Sequence, residues 1–188
     1  MSENKVQFNL KNVHYAILTD TAGVITYATP VSVPGAVTLS LDPQGDLKKF
    51  YADGMAYYQS TSNQGYSGDL EVARIPDQML KDVWKVTAGE TSKVLTENAN
   101  VEPNPFALLY RIDGDIDNQY YALYSCTGTR PGIGSTTISE SKEPQTQKSS
   151  ISAVPLANGN VVARTTFDTP TATKTGWFTA VFVEGSET

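Results

Sequence analysis

Residues 76–86, PDQMLKDVWKV, are the one stretch of this chain that reads better as a helix than as a strand. Pro76 suits the first helical position, because its missing N–H has no partner there and its φ is already near helical. Asp77 puts negative charge at the positive end of the helix dipole. Met79, Leu80, Val83 and Trp84 recur at i, i+1, i+4 and i+5 and line one apolar stripe, while Asp82 and Lys85 fall on the wet side. Gly89 stops the run. A helix of about two to three turns cannot hold itself together in water. It must lie on the alternating, turn-punctuated sequence on either side, with Met79, Leu80, Val83 and Trp84 as its packing core. The expected fold is mainly β: a two-sheet sandwich or barrel built from both halves of the chain, with this one flanking α-helix.

Apolar and polar residues alternate across 5–10 through Val6, Phe8 and Leu10, and 13–19 (VHYAILT) is a stronger strand. Residues 20–34, DTAGVITYATPVSVP, carry β-forming side chains but too little apolar content for a core, so they predict an extended hairpin-like arm. Strand 35–41 follows, then DPQGD at 42–46, a turn with Pro43 at its second position. Residues 49–52 and 55–60 flank Asp53 and Gly54, a strong two-residue hairpin signal. DLEVARI at 69–75 alternates into the helix. Past the helix, 87–105 is a polar connector. The clearest hairpin is 106–112 with 119–126, closed by DGDIDN. Residues 127–135 form a glycine-containing loop, and 136–149 a solvated or partner-facing polar segment. Strand 150–156 is broken by Pro155. Asn158 and Gly159 form a hairpin turn into 161–167. GWFTAVFV at 176–183 is apolar on both faces and reads as a buried last strand.

At 188 residues one domain is expected, 1–188, with an N-terminal arm at 1–12, the extended loop at 20–34 and a C-terminal tail at 184–188. Charged residues are 18%, below the usual quarter, and Thr, Ser, Asn, Gln and Tyr fill the gap, which favours sheet and contact surfaces. The net charge of −6 lacks the basic footprint of a nucleic-acid binder. Cys126, the one cysteine, excludes an intramolecular disulfide. The N-terminus has no signal-peptide core, and no apolar run approaches the roughly 18 residues of a membrane span. Folding in a cytoplasm, without a membrane, is expected.

Reactive constellations are scarce. His14 is the only histidine and lies on the strand face opposite Val13, Tyr15 and Ile17. A four-ligand zinc site needs more His and Cys than the chain has. Asp113, Asp115 and Asp117 imitate the start of a calcium loop, but Asn118 stands where Gly is needed and Tyr124 where Glu is needed. The glycines of 128–135 lack the spacing of a phosphate cradle. The expectation is no enzyme and no cofactor. A β chain of this kind must cover its open edges, because exposed edges aggregate. The extended segments fit strand addition to a neighbouring chain. Phe8 and Leu10 on the N-terminal arm, and Tyr27 and Val31 with Val33 and Pro34 at the base of the 20–34 arm, are the candidate subunit-interface residues. The alternative reading is a secreted or surface β-sandwich module that binds carbohydrate or a host protein.

The blocks VSVPGAVTLSLDPQGDLKKFYADGMAYYQS, GYSGDLEVARIPDQMLKDVW, NQYYALYSCTGTRPG and KTGWFTAVF resemble the major tail protein of long-tailed siphophages of Gram-positive hosts. The resemblance runs from about Val6 to Gly185 and offers no catalytic residues to carry over. It implies a tail-tube fold, a pair of sheets flanked by one helix, with a long loop and terminal arms. It implies a structural virion protein, assembled in the host bacterial cytoplasm, whose hexameric rings stack into the tail tube that conducts DNA to the host. The implied partners are further copies of itself, the tape-measure protein inside the tube, and the tail terminator and distal tail or baseplate proteins. Some members carry an extra C-terminal immunoglobulin-like domain; the chain stops at Thr188, so that domain is expected to be absent. DNA would pass without specific binding: six subunits at −6 give about −36 per ring, which repels phosphate.

Overall fold

The computed structural model describes residues 3–137 and 144–184. In chain order these form β1 (Gln7–Thr21), β2 (Val24–Tyr27), β3 (Val31–Ser32), β4 (Ala36–Gln44), β5 (Leu47–Ala52), β6 (Met55–Thr61) and β7 (Gly65–Val72). After α1 (Asp77–Asp82) come β8 (Thr87–Ala88), β9 (Leu95–Thr96), β10 (Phe106–Gly114), β11 (Gln119–Gly128), β12 (Gln147–Ala153), β13 (Val162–Arg164) and α2 (Thr171–Gly176). The chain is mainly β, as alternation dictates. Nine strands form one antiparallel sheet in the order β2-β1-β10-β11-β12-β7-β4, with β3 added on β1 and β13 on β11.

Of the expected sandwich or barrel, the chain takes the barrel-like form: one sheet curls until β4 comes round beside β1. Bulges supply the bend. The β1–β10 register shifts after Phe8 and again after Lys11, and Asn9 and Asn12 adopt φ values of 71° and 53°. Asparagine tolerates that left-handed conformation, and a bulge bends its strand and increases the twist. Residues 5–10 and 13–19 are therefore not two strands; Gln7 onward belongs to one long bulged strand.

β10 is buried on both faces from Phe106 to Tyr110. Its even-numbered side chains Phe106, Leu108 and Tyr110 point into the curl, where they meet Val13, Tyr15, Leu70, Val72, Leu123 and Ile151. α1 closes one end of this interior with Met79, Val83 and Trp84 buried and Leu80 half-buried. The helix is shorter than 76–86. Pro76 is its extended N-cap (φ −62°, ψ 142°), and Lys85 turns to φ 53° just past the end. Side chains from the sheet and connector hold it. The Tyr15 hydroxyl donates to Asp82 Oδ2 at 2.7 Å, Asn104 Nδ2 to the Asp82 carbonyl at 2.8 Å, and Trp84 Nε1 to the Gly128 carbonyl at 3.0 Å.

The opposite face of β1, β10 and β11 carries a second core. Here Ala16, Ala107 and Ala122 leave room for the rings of Trp177, Phe178 and Phe182. Residues 176–183 are not the expected strand. Pro170 caps α2, and Trp177, Phe178, Val181 and Phe182 recur at i, i+1, i+4 and i+5 so that all four meet the sheet. Trp177 Nε1 donates to the Tyr121 carbonyl at 3.1 Å, and the His14 ring stacks on Phe178 at 4.6 Å. A second short helix thus joins the one expected.

Three further expectations fall differently. DPQGD is no turn, because β4 runs through Pro43 to Gln44 and continues as β5. Asn158 and Gly159 turn locally between β12 and β13, which each pair with β11 and not with each other. The polar connector contains the small β8–β9 ribbon. Of the polar segment 136–149, residues 138–143 lie outside the described residues, and 147–149 begin β12.

Candidate assembly surface

The two segments read as arms fold onto their own chain. Val24–Tyr27 pairs with Leu18–Thr21 of β1, and Val31 and Ser32 pair with Tyr15 and His14. Backbone pairing needs no apolar surplus, which is why thin hydrophobicity at 20–34 did not leave it free. Tyr27 is half-buried, its hydroxyl donating to the Tyr124 carbonyl at 3.2 Å, and Val33 is buried in the core. Val31 and Pro34 remain at the surface. The N-terminal segment docks likewise. Phe8 and Leu10 pair with Asp113 and Ile112 of β10, and Asn4 clasps the β10–β11 turn through the carbonyl and N–H of Asp117. Residues 1–2 and 185–188 lie outside the described residues.

Phe8 and Leu10 meet at a seam. Where β4 comes beside β1 no ladder joins the two, and a groove of about 380 Å³ opens between Phe8 and Leu10 on one side and Leu39 and Leu41 on the other.

What projects instead is the β5–β6 hairpin. From 42 to 64 every residue but Ala52 is exposed. Asp53 and Gly54 both have positive φ, 53° and 75°, the two-residue turn whose twist matches its strands. The base is fixed by a backbone bond from Ser62 N–H to the Asp46 carbonyl at 3.0 Å and by Gly65. At φ 102°, Gly65 lies where a Cβ would stand 1.9 Å from the Ala153 carbonyl, so only glycine fits. The hairpin carries Leu47, Phe50, Tyr51, Met55, Tyr57 and Tyr58, each more than half exposed, with Tyr57 at 74%. Phe50 faces Tyr58 across the ribbon, and a bulge at Tyr57 places aromatic rings on both faces. Between 42 and 64, Asp42, Asp46 and Asp53 outweigh Lys48 and Lys49, so the projecting segment carries −1 and the rest of the chain −5.

The strand directions set two ends. β7 begins at Gly65, where the hairpin leaves, and ends at Val72, just before α1. The acidic turn of β10–β11 lies at the hairpin end. Its carboxylates are engaged: Asp113 by Lys11 at 3.0 Å and Arg111 at 2.9 Å, Asp115 by the Lys5 N–H, and Asp117 by Lys174 at 2.6 Å. Burial opposes ionisation of Asp113, yet the Lys11, Arg111 and Asn9 donors outweigh it and hold its carboxyl below the ordinary value. Burial pushes the Cys126 thiol up to about 12 and raises Tyr15, Tyr27 and Tyr110 well above the usual tyrosine value. Among the described residues no three His, Cys, Asp or Glu side chains group as metal ligands, and no helix is long and apolar enough to cross a membrane.

No protein-family model matches the chain, and no curated protein matches it in sequence. Among solved structures it is similar to the tube-terminating cap of the anti-feeding prophage, determined by cryo-electron microscopy. The identity is 11%, the TM-score 0.47, and the match covers 88% of this chain and 96% of that one.

Proposed function

We propose that this chain is a non-enzymatic structural subunit of a phage tail tube, whose copies associate through the projecting β5–β6 hairpin into hexameric rings stacked around a DNA-conducting channel. The observation that carries the reading is the hairpin itself: six large apolar side chains that stay more than half exposed on a ribbon standing clear of the other described residues. A two-stranded ribbon is marginal alone, and exposed apolar surface of this density marks an interaction site. The ring number, the channel and the partners (tape-measure, terminator and distal tail proteins) rest on the resemblance of the four sequence blocks to siphophage major tail proteins. The −6 charge suits a wall that does not retain phosphate.

Electron microscopy and light scattering of the purified protein test this. Rings or rods of one diameter are expected. A strict monomer at high concentration overturns the reading and favours a β module that uses its aromatic hairpin to bind carbohydrate or a host protein.

A further inference from the structure

A polar cleft of about 560 Å³ opens between residues 3–7 and residues 164–168, where β13 runs on toward α2, and Asp117 and Gln119 complete its lining. Internal bonds fix both walls. Asn4 is spent on the backbone of Ile116 and Asp117, Gln7 Nε2 donates to Gln119 Oε1, and Lys174 pairs with Asp117. On the other side the Tyr120 N–H donates to Thr165 Oγ1 at 3.0 Å, and the Thr166 N–H to Thr169 Oγ1 at 2.9 Å. Four charged side chains of the lining make no hydrogen bond or ion pair with a described residue: Glu3, Lys5, Arg164 and Asp168. Their charges sum to zero. Phe167 stands beside them, 51% exposed.

We infer that this cleft binds a neutral pyranose, the end sugar of a glycan. Charge and hydrogen-bonding capacity select that class. A phosphate or carboxylate drawn to Lys5 and Arg164 would meet the unpaired Glu3 and Asp168 in the same cleft, on a chain of −6. A divalent cation would meet Lys5 and Arg164 instead, and an apolar ligand would cover four charges without compensating any of them. A hydroxyl both donates and accepts. A ring that bears several can accept from Lys5, Arg164 and the uncommitted Gln119 amide N–H while it donates to Glu3, Asp168 and the Gln7 side-chain carbonyl. Phe167 adds an exposed flat ring for the C–H face of the sugar. The volume lies within the range of small-ligand clefts. None of these residues belongs to the β5–β6 hairpin, so the inference stands apart from the tube reading.

Saturation-transfer NMR reads sugar binding on monomer and assembly alike. The probes are the methyl glycosides of glucose, galactose, mannose and N-acetylglucosamine, which stand for glycan ends, beside the four free sugars. At least one glycoside should bind, with a Kd of about 1 mM as befits so small a ligand, and more tightly than its free sugar. Phe167→Ala and Asp168→Asn, both at exposed positions, should each weaken binding about tenfold with the unfolding midpoint unchanged. Tyr57→Ser, on the hairpin, should bind as the wild type does. No saturation of any probe, undiminished binding by Phe167→Ala and Asp168→Asn, or binding lost in Tyr57→Ser overturns the cleft assignment. Displacement by an equal concentration of inorganic phosphate overturns the neutral class, and preference for the free sugar overturns the glycan end. Each of these results leaves the tube reading standing.

Discussion

Trp84 joins three parts of the molecule: it plugs the curl beside Phe106, follows α1, and bonds the carbonyl that ends β11. Trp84→Ala should cost about 3–5 kcal/mol in denaturant unfolding, through the cavity and the orphaned Gly128 carbonyl. Tyr15 ties β1 to the last residue of α1, and burial followed by the Asp82 hydrogen bond raises its pKa. Tyr27 and Tyr110 are raised by burial as well. A folded pKa above the unfolded one gives stability that is complete below the unfolded value and lost as pH rises through the folded value. Unfolding midpoints should therefore fall as pH climbs past about 10, and a tyrosinate absorbance titration should show ionisation coinciding with unfolding. Asp113 works in the other direction. Its folded pKa lies below the ordinary 3.8, so its contribution is present above that value and lost as pH falls through the folded one. Asp113→Asn should flatten that acid limb.

Among the elements, the hairpin has the sharpest consequences. Amide exchange of 47–61 should be fast in dilute monomer and slow in assemblies, because the free ribbon has only its own ladder to protect it. Gly65→Ala should unfold the base of the ribbon, since the clash with the Ala153 carbonyl and the φ of 102° act together. Elements with one dominant period were legible in the sequence: β10 and β11 by alternation, α1 by its stripe, and the 53–54 turn by its two residues. What the residues obscured was which segments reach outward. Residues 20–34 looked too polar for a core, yet β2 and β3 are held by backbone ladders to β1. Residues 49–52 and 55–60 read as strands around a hairpin turn with nothing to say that they project, yet adjacent aromatic pairs at 50–51 and 57–58 put rings on both faces of a ribbon that no described residue covers. That doubling, beside Lys48 and Lys49, was the signal for a contact arm. The spacing of Trp177, Phe178, Val181 and Phe182 repeated that of the α1 stripe, and it marked the C-terminal segment as a strap across the sheet rather than a strand.

Taken as one body, the molecule has an acidic, compact curl with an exposed aromatic hairpin at one end and an apolar groove at the other. The N-terminal segment and residues 24–32 pair with strands of their own chain, so in the proposed assembly association falls to the hairpin. The proposed assembly depends on one exposed element whose loss leaves the core intact, since none of its six apolar side chains contributes to either buried cluster. Sedimentation velocity of the wild type beside a variant with Phe50, Tyr51, Tyr57 and Tyr58 all changed to Ser measures this directly. The account predicts large, concentration-dependent species for the wild type and a folded monomer with an unchanged unfolding midpoint for the variant. A variant that assembles as the wild type does, at the same concentration, would contradict it.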